Sequence, residues 1–598
     1  MPIGPFAPLQ GWLRRLGRPR LTVYHHPDYR LPITSLDARA RLDPRRADLA
    51  AWCLRKLGAA PASALRRPEP APLSALLRAH DADYLEGLLQ PGALARIFGV
   101  DGWDLPIDEV WRSLRLITGG TLTAARAALD GGGHHQLNLA GGMHHAARAG
   151  GGGFCPVNDV AVAVLDARDR GLTGPIVVLD LDFHPPDGTA DCLRGAADVW
   201  LGSISGADWG PLPGVDETVL PPKAGPEAYQ SALLALLSRM PPRPSLAIVI
   251  AGGDVALGDP LGDLGLDEPA MRARDLAVMS ALHGVPAVFL PGGGYGPTAW
   301  RAIAGLGLAL ATGGDQAVPA TLDPMQLELD RVWRSLQPAE LTGDDWISAA
   351  DLVGLLGPPD PAEGRLLGHY SPAGLELALS RYGLLDRVRR LGYQRFTVRL
   401  DHTSVGERMR LFGQCAAMDE VEHFLVELVV ERCPAGWLDP ALQGPVLFVH
   451  WLTLRHPLAH FRAGRGPLPG QEVPGLGMAR EATALLSRMA HRLGLLGVAV
   501  RPAYLHVAAA ANPAMRFLEP ARQAAFLVLL DAIAAEGLTL PEATQRLADG
   551  GVTLNGAPYV WTPDLLVRLA AEELTGPPVA FVAAVEAARG GLRFSFGR

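Results

Sequence analysis

The sequence predicts an α/β architecture: a parallel-sheet domain followed by a second, mixed α/β domain. Three observations predict it. Short aliphatic and β-branched runs alternate with helical stretches through the first half of the chain, the pattern of a parallel sheet covered by helices. Glycine clusters close three strand-like stretches, as LAGG, IAGGD and PGGG, where backbone can approach a ligand closely. One run, IVVLDLDFHPPDG, ends in two carboxylates and an imidazole. The carboxyl ends of parallel strands are where an α/β sheet carries its chemistry.

Taken in order, LTVYHH (21–26) reads as the first strand, and helical stretches follow around 47–58 and 73–89. Residues 108–129 form a helix carrying Gly119 and Gly120, and HQLNLAGG leads into paired histidines. VNDVAVAVLDARDRG is a helix with a glycine stop. The strand IVVLDLD comes next, then a strand near VWLGSIS, a helix at 226–239, the strand LAIVIAGGD, a helix at 268–283 and the strand PAVFLPGGG. Residues 316–365, with LQPAELTGDDW and LLGPPDPAEG, read as a helical connector and linker. The region 366–598 opens with a helix (372–391) and the strands QRFTVRLD, EHFLVELVVE and VLFVHWLTL. A loop, PGQEVPGLGMA, leads to the helix AREATALLSRMAHRLG and the strand GVAVRP.

Length and composition bound the rest. At 598 residues, two or more domains are expected. Apolar content of 48% with 19% charged residues describes an ordinary folded protein. A net charge of −8 gives no electrostatic reason to expect nucleic acid. No apolar run reaches the length of a membrane span, and the proline-broken N-terminus lacks the apolar core of a signal peptide. Cys53, Cys155, Cys192, Cys415 and Cys433 are odd in number and form no CxxC pair. Neither a disulfide framework nor a thiolate zinc site is expected, and a reducing cytoplasm fits.

The chemistry concentrates on the strand IVVLDLDFH. Side chains alternate along a strand, so Asp180, Asp182 and His184 face the same way. Buried carboxylates are paired or bind metal, and carboxylate plus imidazole suits a divalent metal such as zinc. A satisfied polar cluster at a strand end is the competing reading. Adjacent His144 and His145, taken alone, read as loop residues as readily as catalytic ones.

Four blocks stand in a fixed order: NLAGGMHHAARAGGGGFCPVND (138–159), the DLDFH strand, IAGGDVALGDPLG (250–262) and FLPGGGYGPTAW (289–300). In order and spacing they resemble the histone deacetylase family, of arginase–deacetylase fold, over roughly residues 20–315. Their form looks closest to the class IV branch and its bacterial relatives. The resemblance implies a zinc ion held by Asp182, His184 and Asp254, which leaves a fourth position open. It implies that His144 and His145 carry the proton transfers, oriented by Asp180 and Asp187, and that Tyr295 polarises the substrate carbonyl. Gly153 and Phe154 match one wall of a substrate tunnel, with Leu212 opposite and Leu261 at the rim. Asp180 and Ser203 match a buried monovalent-cation site, usually potassium. One departure stands out: HPPDG replaces the family's His-His-Gly-Asp-Gly, and Pro185 and Pro186 remove two backbone donors.

The activity so implied is a zinc-dependent amide hydrolase that removes acetyl or longer acyl groups from an acylated protein, peptide or amine. Acylpolyamines and small amides are an alternative substrate class. A non-catalytic binding module on the same scaffold is an alternative function. Arginase-like chemistry needs a two-manganese cluster, and only one DxDxH is present. In the second half, strand, glycine loop, helix and strand are faintly similar to the acyl-CoA-binding core of the GNAT acetyltransferases, and the activity there is unassigned. His402, His450, His456, His460 and His506 do not fall at a metal-ligand spacing. Oligomeric state is not legible.

Overall fold

The run IVVLD forms a strand, Ile176–Asp180, buried at all five positions, as a strand covered on both faces must be. The structure is a computed structural model that describes residues 21–33, 41–100, 105–131, 135–320, 322–343, 364–415, 421–461, 466–512, 514–572 and 576–597. It divides into two units, Met1–Val318 and Pro319–Arg598.

Among the described residues, the first unit is built on eight strands: β1 (Leu21–Tyr24), β2 (Leu65–Arg66), β3 (His135–Asn138), β4 (Ile176–Asp180), β5 (Val199–Ser205), β6 (Val215–Val219), β7 (Leu246–Ile250) and β8 (Ala287–Leu290). Their order across the sheet is β2-β1-β3-β8-β7-β4-β5-β6, and every pairing is parallel. The central strands β4 and β7 are wholly buried. Helix Asp159–Asp169 starts where the Asn158 side chain accepts the Ala161 N–H at 2.8 Å. Its apolar residues pack with Val178 and Ile248 in the core.

The helix expected over 73–89 is two helices, Leu73–Ala79 and Ala82–Gly87. The break is at His80, whose backbone is extended. Its buried ring bonds Ala147 O at 2.9 Å through Nδ1 and accepts the Asn158 N–H at 2.9 Å through Nε2. A tertiary bridge to the histidine-bearing loop therefore overrides the local helical pattern.

Among the described residues, the second unit holds a seven-stranded sheet. Its strands are β9 (Tyr393–His402), β10 (Glu407–Cys415), β11 (Glu422–Cys433), β12 (Val446–Leu454), β13 (Gly497–Val500), β14 (Arg516–Phe517) and β17 (Leu566–Leu569), in the order β14-β17-β13-β12-β11-β10-β9. Strands β9 to β12 are antiparallel neighbours, whereas β12 and β13 run parallel and pair only over Leu447–Val449 and Val498–Val500. Three short strands, β15 (Val552–Leu554), β16 (Ala557–Pro558) and β18 (Phe594–Phe596), make a separate small sheet. The helix expected over 372–391 is interrupted at Gly383, in the left-handed region at φ 71°, and is seen as Pro372–Arg381 and Leu384–Arg390.

The stretch 316–365 is helical over much of its described part. Helices Pro324–Ser335 and Pro338–Thr342 belong to the second unit. Leu336 and Leu341 are buried in its core with Leu411, Leu428 and Leu486, so this stretch packs and does not merely link. Residues 344–363 of the expected linker lie outside the described residues. Among the described residues no single helix is long and apolar enough to cross a membrane.

Candidate metal centre and active site

Asp182 and His184 follow the end of β4, and Asp254 follows the end of its neighbour β7. Adjacent parallel strands thus deliver all three to one end of the sheet. One atom from each lies within 4.8 Å of the others. His184 Nδ1 is 3.3 Å from Asp182 Oδ1 and 3.1 Å from Asp254 Oδ2. The remaining carboxylate oxygens are held by backbone: Gly293 N–H donates to Asp182 Oδ2 at 2.6 Å, and Phe183 N–H donates to Asp254 Oδ1 at 3.0 Å.

The glycine loop after β8 closes over these ligands. A Cβ on Gly293 would stand 2.5 Å from Asp254 Oδ2 and 2.8 Å from Asp182 Oδ2, so only glycine fits there. Two carboxylates, each also held by a backbone N–H, and one imidazole with a common focus suit a divalent transition-metal ion.

His144 and His145 stand beside this group, ring centroids 4.1 Å apart. His144 Nδ1 is 2.8 Å from Asp180 Oδ2, and His145 Nδ1 is 2.7 Å from Asp187 Oδ1. A carboxylate behind each ring fixes its tautomer and orientation. Burial opposes charge on His144, but the carboxylates of Asp180 and Asp182 outweigh it and raise the imidazole to about 9. Burial, then the neighbouring His144, lowers His145. The two rings are thus driven apart in basicity.

Pro185 and Pro186 are buried and lead into the short helix Asp187–Cys192. Thr189 N–H donates to His144 O at 2.8 Å. The Pro-Pro replacement therefore leaves Asp187 in reach of His145.

Tyr295 and Phe154 face each other across a cavity of about 100 Å³, ring centroids 6.0 Å apart. The same cavity is lined by His144, His145, Asp182 and Gly153. A Cβ on Gly153 would lie 2.2 Å from His145 Cδ2. Leu31, Leu42, Leu114, Ile117 and Met143 line it too. Burial, then the carboxylates of Asp254 and Asp182, keeps the Tyr295 phenol well above its ordinary range and so protonated.

Leu212 is half-buried in the loop after β5 and does not line this cavity. Trp209, three residues earlier, lies 5.4 Å from the His145 ring and 6.3 Å from the His184 ring. The turn that ends in Gly210 (φ 80°) carries Trp209 to the histidines, while Leu212 continues toward β6. Leu261 is 40% exposed and also lies outside the cavity lining, although Asp259 fixes its backbone N–H at 3.0 Å. Ser203 pairs with Asp180 across β5 and β4 and is fully buried, and its hydroxyl has no hydrogen-bond partner.

Three supporting residues escape a reading of the sequence. Half-buried Arg46 donates to Gly292 O at 2.9 Å and Gly294 O at 3.0 Å, anchoring the glycine loop. Asp159 accepts the Gly142 and Met143 N–H groups and the Thr121 hydroxyl, fixing the approach to His144. Asp259 accepts the Tyr295 N–H at 2.8 Å. The residues VND and GDPLG lie in plain view, but nothing local says which backbone they hold.

Fold and site define the class, and comparison with known proteins agrees with it. The histone deacetylase domain model matches residues 40–308. An uncharacterized protein of Picosynechococcus sp. is 30% identical over 295 residues, which cover 46% of this chain and 91% of that one. A histone deacetylase-like amidohydrolase of Pseudomonas aeruginosa is 31% identical over 258 residues, 39% of this chain and 66% of that one. An acetylpolyamine amidohydrolase of Mycoplana ramosa is 31% identical over 162 residues, 24% of this chain and 47% of that one. The chain belongs to the histone deacetylase family, and it does so through its first unit.

Proposed function

We propose that the first unit is a zinc-dependent deacylase that cleaves an acylated lysine or a related acylated amine to a carboxylate and a free amine. The observation that carries this reading is the convergence of Asp182, His184 and Asp254 beside two carboxylate-backed histidines. Those three residues would hold the zinc ion. When bound, such an ion polarises the attacking water and the amide carbonyl.

The chain's own groups do the rest. His144 and His145 divide two proton transfers, one from the attacking water and one to the departing amine nitrogen. The Tyr295 hydroxyl donates to the oxygen that gains charge as the carbonyl is attacked. Phe154, Gly153 and Trp209 flank the histidines and give an acyl-lysine stem an apolar path. The unpartnered hydroxyl of Ser203 beside Asp180 fits a buried potassium ion.

The aliphatic residues in the cavity lining support acyl groups longer than acetyl. The relative named for acetylpolyamine favours a second substrate class, acylated polyamines. The test is a panel of acyl-lysine peptides, from acetyl to octanoyl, and acetylpolyamines, assayed with metal analysis of the full chain. Expected are one zinc per chain, hydrolysis of at least one panel member, and loss of both in Asp254→Ala. A zinc-loaded protein that hydrolyses none of them, or an Asp254→Ala variant that keeps its metal, would overturn the reading.

A further inference from the structure

The sheet of the second unit turns one face toward the helices Pro372–Arg381, Leu384–Arg390 and Ala479–Arg492, and the two layers do not close completely. A cavity of about 130 Å³ lies between them, walled by Leu341, Leu375, Met409, Leu411, Leu428 and Leu486. Close-packed interiors leave few voids larger than a water molecule. An apolar cavity of roughly 150 Å³ stays dry and accepts an apolar guest.

Five side chains with polar atoms interrupt this wall: Trp333, Tyr370, Tyr382, Arg488 and Arg492. The Trp333 indole Nε1 and the Arg488 Nε are buried donors with no hydrogen-bond partner. Arg488 is only 9% exposed, and its other nitrogens reach Ala484 O, Gln326 and Asp330. Arg492 donates to the carbonyls of Leu336 at 3.2 Å and Trp333 at 2.8 Å, and lies 5.4 Å over the Trp333 ring. No carboxylate pairs with Arg492 among the described residues. A buried donor without an acceptor is costly, and an unneutralised guanidinium on an apolar wall invites an anion. An aliphatic lining, two unmet donors and one uncompensated cation together describe a receptor for an amphiphile with an anionic acceptor head.

We propose that the second unit binds a medium-chain carboxylate, with an alkyl tail of about six to eight carbons among the leucines and its head toward Arg492, Arg488 and Trp333. This site is separate from the deacylase reading and does not depend on it.

The test is calorimetric titration of the full chain with butyrate, hexanoate and octanoate, and with octanol as the uncharged control. Expected is one saturable site per chain, with affinity rising roughly fourfold for each added methylene. Ala482→Phe, which places a ring in the cavity, abolishes octanoate binding without lowering the unfolding temperature. Arg492→Gln weakens octanoate at least about tenfold and leaves octanol unchanged. Arg492→Gln decides the matter if Ala482→Phe fails to fold. The absence of saturable octanoate binding by the folded wild type overturns the proposal. So does octanoate binding that survives both substitutions, which would place the carboxylate elsewhere, the first unit's cavity included.

Discussion

Tyr295 separates binding from chemistry in the candidate site. Its backbone is tied to Asp259 and its ring faces Phe154, while the metal ligands are other residues. Tyr295→Phe is therefore expected to keep the metal and the fold and to lose about 10²–10³ in kcat, as removal of one oxyanion donor does. Turnover within a factor of about three of wild type, with full metal loading, would take the polarising role away from it. Gly293 tests the opposite partition. Gly293→Ala adds one methyl group 2.5 Å from Asp254 Oδ2, so metal content should fall although no ligand is changed. Retention of one metal per chain would mean that the loop yields. Residues with a periodic or paired signature, such as Asp182, His184 and the His144-His145 pair, could be read from the sequence. Arg46, Asp159 and Trp209 could not, because their partners lie far along the chain and their own neighbourhoods carry no pattern.

Strands were legible where burial on both faces writes an unbroken apolar run, as in IVVLD and LAIVI. The edge strand β6, VDETV, is half-buried and polar, and β2 is two residues long, so neither leaves that signature. Helix breaks were missed where a tertiary bond or one glycine decided them. His80 is the sharper case, and it carries a pH dependence. Burial lowers its pKa below the ordinary 6.5, so the unfolded chain takes up the proton first. The stability it contributes is whole above about pH 6.5 and is lost as pH falls toward the folded-state value. Protonation would also set a donor at Nε2 against the Asn158 N–H. His80→Gln is expected to shrink the gap between unfolding temperatures at about pH 7.5 and about pH 5.5. An unchanged gap would show that other groups set it.

At the scale of the whole chain, the unit boundary at Val318 and Pro319 sets where the protein should be cut. Every ligand and proton-transfer candidate lies before residue 300, so residues 1–318 are expected to fold, bind metal and hydrolyse substrate. A fragment ending at residue 330 carries half of the helix Pro324–Ser335 and leaves Leu329, buried in the full chain, without its cover. It should be less soluble than the shorter fragment. Expression of both, with metal content and turnover measured, checks this. A soluble, metal-loaded but inactive 1–318 would make the second unit part of the active enzyme.

The brief parallel pairing in the second sheet has a consequence for the timescale of local opening. β12 runs to Leu454, but its partner β13 stops opposite Val449; His450 falls at a bulge, and residues 451–454 are laddered only to β11. Alternate backbone amides along that stretch face the side without a strand. In deuterium exchange they should label in a two-residue rhythm, fast and slow in turn, whereas Leu447 to Val449 should be slow throughout.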